Sequence, residues 1–199
     1  MSNQLTDTEL LIISKTKELV YNEGKIKPTS QEIADFCGVQ RTLVNYYFRS
    51  KENLTRIVQE EITSELHEGL NEIYGAQNVT FEQKVDALID FMFNFKRKYS
   101  YFEVYSINIS TKLFDEEVYI KPEPTKMLCD FMQEINQEME KGTILKSDPI
   151  NFLINIFSLV SYPLVMKGIY QDVFGVTAEE FDQLLINRKN IIKNLIFNK

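Results

Sequence analysis

The 199-residue chain is poor in the side chains that build most reactive sites. It has two cysteines, Cys37 and Cys129, a single histidine, His67, and no tryptophan. The cysteines form no CxxC pair and stand at no ligand spacing from His67. Two reduced thiols are therefore expected, with no disulfide and no metal site. His67 falls in an amphipathic helical stretch and reads as a surface histidine. There is no GxSxG, no phosphate-binding loop and no cluster of metal-ligand types, so neither an enzyme nor a cofactor is expected. The carboxylate pairs Glu60-Glu61 and Glu179-Glu180 read as solvated faces. Five prolines and seven glycines are few for this length, which favours long regular elements. No stretch alternates with period two, and neither repeats nor a low-complexity linker occur.

The N-terminal MSNQLTDTELL has no basic stretch followed by a long apolar one, so no secretion signal is read and a cytoplasmic protein is expected. One uncharged run, Ile150 to Met166, nears the shortest length that spans a bilayer. It carries Asn151, Asn155, Ser158, Ser161, Tyr162 and Pro163. A helix buried in a core or interface is the better reading, and no membrane partner is expected.

What is present is a globular composition, 44% hydrophobic and 26% charged. The net charge of −7 argues against indiscriminate nucleic-acid binding. The charge is uneven. Residues 1–56 hold eight Lys/Arg against seven Asp/Glu, and the rest hold fourteen against twenty-two. Any contact with a polyanion is expected from the N-terminal part.

Helical periodicity runs from end to end. The spacing predicts a first helix from Thr6 to Asn22, ended by Gly24. Thr29 and Glu32 form a capping box before a short helix, Gln31–Cys37, and Gly38 supplies a tight turn. A second short helix, Arg41–Tyr47, follows. Ser50 then caps a long helix that stops near Gly75. Further helices are expected from Phe81 to Phe95, Tyr101 to Thr111, Thr125 to Glu140, Pro149 to about Tyr170 with a kink or break near Pro163, and Ala178 to Asn198. Glu116 to Pro124 reads as a charged loop. We expect an all-α protein of about nine helices.

Residues 29–54, TSQEIADFCGVQRTLVNYYFRSKENL, place two short helices about a three- to four-residue glycine turn, the sequence form of a helix-turn-helix. Ile33, Ala34, Val39, Val44 and Phe48 can close a small core. The second helix is then free to present Gln40, Arg41, Thr42, Asn45 and Tyr46. Arginine can donate twice to guanine, and asparagine can bridge an adenine edge. Thr29, Tyr47 and Lys51 suit phosphates. Two readings stay open for the aromatics: Tyr46 and Tyr47 at a DNA surface, or packed with Phe48 as core.

This segment resembles the TetR family of transcriptional regulators. The matching positions are Thr29, Ile33, Ala34, Gly38, Val39, Tyr46, Tyr47, Phe48, Ser50, Lys51, Glu52 and Leu54, in register without a gap. The match covers about residues 8 to 56. It departs at Thr42 and Leu43, where a small residue followed by Thr is common, at Asn45, where an aromatic is common, and at Arg49, where proline is usual. The resemblance implies a DNA-binding domain at 1–50 and a helical dimerisation and effector domain at 51–199, with 51–75 as the connecting helix. It also implies a homodimer reading a palindromic operator on double-stranded DNA, most often as a repressor released by a small effector. The dimer would be a four-helix bundle of the last two helices, with Phe152, Ile156 and Leu159 on one and Leu184, Leu185, Ile192 and Leu195 on the other. An effector pocket would lie among the middle helices, with Phe91, Phe95, Tyr105, Met127, Phe131 and Tyr162 as candidate lining, which points to an apolar or aromatic molecule. The alternative is a helical dimeric interaction protein without a small-molecule effector.

Overall fold

Ten helices and no strand make up the described residues of this computed structural model, which describes residues 5–113 and 124–197. The helices are α1 (Asp7–Tyr21), α2 (Ser30–Cys37), α3 (Arg41–Phe48), α4 (Lys51–Tyr74), α5 (Phe81–Lys98), α6 (Phe102–Leu113), α7 (Lys126–Glu140), α8 (Pro149–Val165), α9 (Lys167–Phe174) and α10 (Ala178–Ile196). The expected loop from Glu116 lies, except for Pro124, outside the described residues, as does the expected helix end at Asn198.

Helix starts follow local chemistry. Thr6, Thr29 and Thr177 each accept from an amide three residues on, while Glu9, Glu32 and Glu180 reach back to the cap amide. Asp148 caps α8 with Pro149 just inside, where its missing N–H costs nothing.

The count exceeds the expected nine because the Pro149 helix is broken. The break falls at Met166, three residues after Pro163, and α8 meets α9 at 65°. Proline cannot donate to the Leu159 carbonyl one turn back. Arg188 of α10 satisfies that carbonyl instead, with Nε donating at 2.8 Å. Among the described residues no single helix is long and apolar enough to cross a bilayer.

The chain divides into two compact units. One lies within Met1–Leu66 and Lys98–Tyr119, the other within His67–Arg97 and Ile120–Lys199. The division falls inside α4. Leu54, Val58 and Ile62, in the part of α4 that belongs to the first unit, are fully buried.

In the first unit α1 packs on α2 and α6, and α2 on α3. Tyr21 is buried against Tyr105 at 4.8 Å between ring centroids and Tyr99 at 6.1 Å, and burial pushes its hydroxyl pKa well up. Gly24 turns the chain at φ +73°, with the Tyr101 ring where a Cβ would stand. The Tyr101 amide donates to the Tyr21 carbonyl at 2.9 Å.

In the second unit a run of aromatics forms the core. Phe131 stacks on Tyr74 at 4.8 Å, and Phe81 touches Phe131, Phe152 and Phe197. Ion pairs tie α10 to α5: Lys189 to Asp90 at 2.6 Å, and Lys193 to Glu82 and Asp86 at 2.9 Å. These are partly exposed and contribute little individually.

Candidate nucleic-acid interface

The α2–turn–α3 segment is assembled from short-range rules. The Thr29 hydroxyl accepts from the Glu32 amide at 3.2 Å, and the Glu32 carboxylate accepts from the Thr29 amide at 2.8 Å. The ammonium of Lys25, 2.6 Å from Glu32, together with those Thr29 bonds, holds the carboxyl down to about 2. Gly38 ends α2 in the left-handed region at φ +69°, and its donor and that of Val39 go back to Asp35 and Ala34 at 3.2 and 3.0 Å. A Cβ at Gly38 would meet open space, so conformation alone favours glycine there.

The turn sets α3 with Val44 and Phe48 buried, at 0% and 2% exposure, above Ile33 and Ala34. Ala34 is fully buried, as suits a close approach of α2 and α3. The other face is left to solvent. Gln40, Arg41, Thr42 and Asn45 are exposed, and Tyr46 is 77% exposed. Tyr47 is half-buried and leans edge-on to Tyr46 at 5.1 Å. Thr29 is exposed, with its hydroxyl already engaged in the capping box. Lys51 is half-buried and donates to the Pro28 carbonyl at 3.4 Å, with Glu52 at 3.7 Å. Lys51 therefore braces the start of α4 against the loop before α2. The eight residues read from the sequence all lie in the first unit, and five of them share the open side of α3 or its cap.

The other candidate residues separate. On α8 and α10, Phe152, Ile156, Leu185 and Ile192 are buried within the second unit and Leu159 is half-buried, whereas Leu184 and Leu195 are 58% and 64% exposed. Ile150, Ile154 and Tyr162 of α8 and Ile191 of α10, at helical spacing, are open to solvent as well. The sequence points to Phe152, Ile156 and Leu159 on α8 and does not single out Ile150 or Ile154.

Tyr105 is buried in the first unit, and the other pocket candidates lie in the second. There Phe95 and Phe131 are buried, Phe91 is half-buried 6.0 Å from Phe95, and Met127 and Tyr162 are exposed. The second unit has a cleft of about 380 Å³ lined by Tyr74, Lys84, Asp130, Gln133, Glu134 and Gln137 among others. None of the pocket candidates lines it. Its polar wall includes Lys84, buried and paired with Glu134 at 2.6 Å. Among the described residues no group of three His, Cys, Asp or Glu side chains could hold a metal.

A helix-turn-helix carried in an all-α chain defines a class of proteins, and comparison with known proteins narrows it. No family model matches the chain. The HTH-type transcriptional regulator BetI of Escherichia coli is 30% identical over 80 residues, which span 40% of this chain and 41% of that protein. A TetR-family transcriptional regulator from Haemophilus influenzae superposes with a TM-score of 0.56 at 12% identity, over 96% of this chain and 97% of its own. A TetR-family regulator from Marinobacter aquaeolei does so at 0.58 and 12%, over 96% of each chain. The chain has the all-α fold of the TetR-family transcriptional regulators, and the resemblance read in residues 29–54 extends to the architecture.

Proposed function

We propose that this chain is a DNA-binding transcriptional regulator, not an enzyme, and that it works in the cytoplasm as a homodimer on a palindromic operator. The observation that carries the reading is the division of α3. Val44 and Phe48 anchor it, while Gln40, Arg41, Thr42, Asn45 and Tyr46 face solvent. Arginine and asparagine on the open face of a second helix are the types that read base edges, and Thr29, Tyr47 and Lys51 flank them for phosphates. The apolar faces of α8 and α10 supply a reason for a second copy, since one module of this size binds weakly. We further propose that the regulator is a repressor released by a small apolar or aromatic effector held in the second unit, which is rich in phenylalanine. Release then requires that the effector favour the conformation that no longer fits the operator.

Selection of bound duplexes from a random pool tests this directly. A two-fold symmetric motif is expected. Tyr47→Ala with Lys51→Ala is expected to abolish binding to it while the oligomer stays intact. Normal retention of the duplex by that variant refutes the assignment of the surface. A helical interaction protein with no DNA function returns no motif.

A further inference from the structure

The turn joining α3 to α4 is built on a conformation that an L-residue resists. Arg49 has φ +64° and ψ −43°, and the Ser50 amide donates to the Phe48 carbonyl at 2.7 Å. That bond closes a γ-turn of the positive-φ kind, which is rare and strained. Glycine is the residue that relieves such a backbone, and four glycines do so elsewhere in the chain. The other non-glycine residue at positive φ among those described is Asn78, a type that tolerates it. An arginine at this turn is therefore locally unfavourable, and strain of this kind persists where a site requires it.

The turn is also firmly framed. The Arg49 amide donates to the Asn45 carbonyl at 2.9 Å, the Asn53 side-chain amide donates to the Phe48 carbonyl at 3.1 Å, and the Ser50 hydroxyl accepts from the Asn53 amide at 3.1 Å. Arg49 thus stands one turn past Asn45 on a fixed base. It is exposed, and among the described residues its guanidinium has no hydrogen bond or ion pair. Neighbouring cations behave differently: Lys51 and Arg56 are both engaged within the chain.

We propose that Arg49 is a further DNA contact, a clamp on a backbone phosphate at the far end of α3. The inference rests on the reading of the first unit as a DNA-binding module. In that geometry the N-terminal residues of the reading helix meet base edges, so its C-terminal end emerges toward the sugar-phosphate backbone. A planar, permanently charged guanidinium bonds a phosphate in a two-pronged way.

The test uses the full chain and its Arg49→Gly, Arg49→Asn and Arg49→Lys variants, with the selected duplex and an unrelated duplex of equal length over a salt series. Arg49→Gly is expected to melt about 2–4 °C higher, because backbone strain is relieved. The same variant is expected to bind both duplexes about tenfold more weakly per bound copy, with the salt slope reduced by about 0.9 per copy. Arg49→Asn follows it in DNA binding, and Arg49→Lys keeps the slope. Unchanged affinity and slope in the glycine and asparagine variants overturn the clamp while leaving the DNA reading intact. A loss confined to the selected duplex overturns it in favour of a base contact. Absence of salt-dependent binding by the unaltered chain overturns both.

Discussion

Replacing Leu184 and Leu195 together with aspartate probes the assembly without touching the core. Both side chains are more than half exposed in the single chain. Burying a whole leucine is worth about 1.5–3 kcal/mol, so covering the exposed part of each returns about 1–2 kcal/mol. A two-fold pair contributes each position twice, so the substitutions remove about 4–8 kcal/mol from association. That corresponds to a weakening of the dimer by about three to six orders of magnitude. Desolvation of the aspartates adds to it. The intrinsic helical cost is small, about 0.5 kcal/mol per site, and α10 keeps its buried Phe181, Leu185 and Ile192. Sedimentation equilibrium at micromolar concentrations, paired with far-ultraviolet circular dichroism, reads both quantities. The expected outcome is a helical monomer. Substituting buried Phe152 or Ile192 in the same way unfolds the chain instead. A doubly substituted chain that remains dimeric with the original dissociation constant refutes the interface, as does an unaltered chain that is monomeric throughout that range.

Gly24→Ala is expected to lower stability by about 1–3 kcal/mol in urea denaturation, from the positive φ and the Tyr101 ring carbons 2.8 Å from the added methyl; an unchanged midpoint refutes the packing of that turn. Glu32 is held down to about 2 by Lys25 and by the Thr29 amide and hydroxyl. Its folded pKa lies below its unfolded one, so its stabilising contribution is complete above about pH 4.5 and disappears as pH falls toward 2. A carboxyl-carbon resonance of Glu32 titrating near 4.5 in the folded protein contradicts the capping geometry.

The helix-turn-helix was legible because its determinants are local. Thr29, Glu32, Gly38 and the spacing of Val44 and Phe48 act within one or two helical turns, where sequence distance is spatial distance. The same holds for Thr6, Thr177 and Pro149 at the other helix starts. The choice between faces was not local. Helix α8 carries apolar residues on two sides, and only the placement of α10 and the Phe81 cluster decides that Phe152 and Ile156 go inside while Ile150 and Ile154 stay open. The partner of the Leu159 carbonyl is 29 residues away, and that of Lys84 is 50 residues away. Tyr105 reads as one aromatic among many until α6 sets it against Tyr21. Composition and periodicity thus determined the class, the helices and the surface of α3. Tertiary packing decided which apolar stripe of α8 stays open to solvent, because burial depends on neighbours brought together only by the fold.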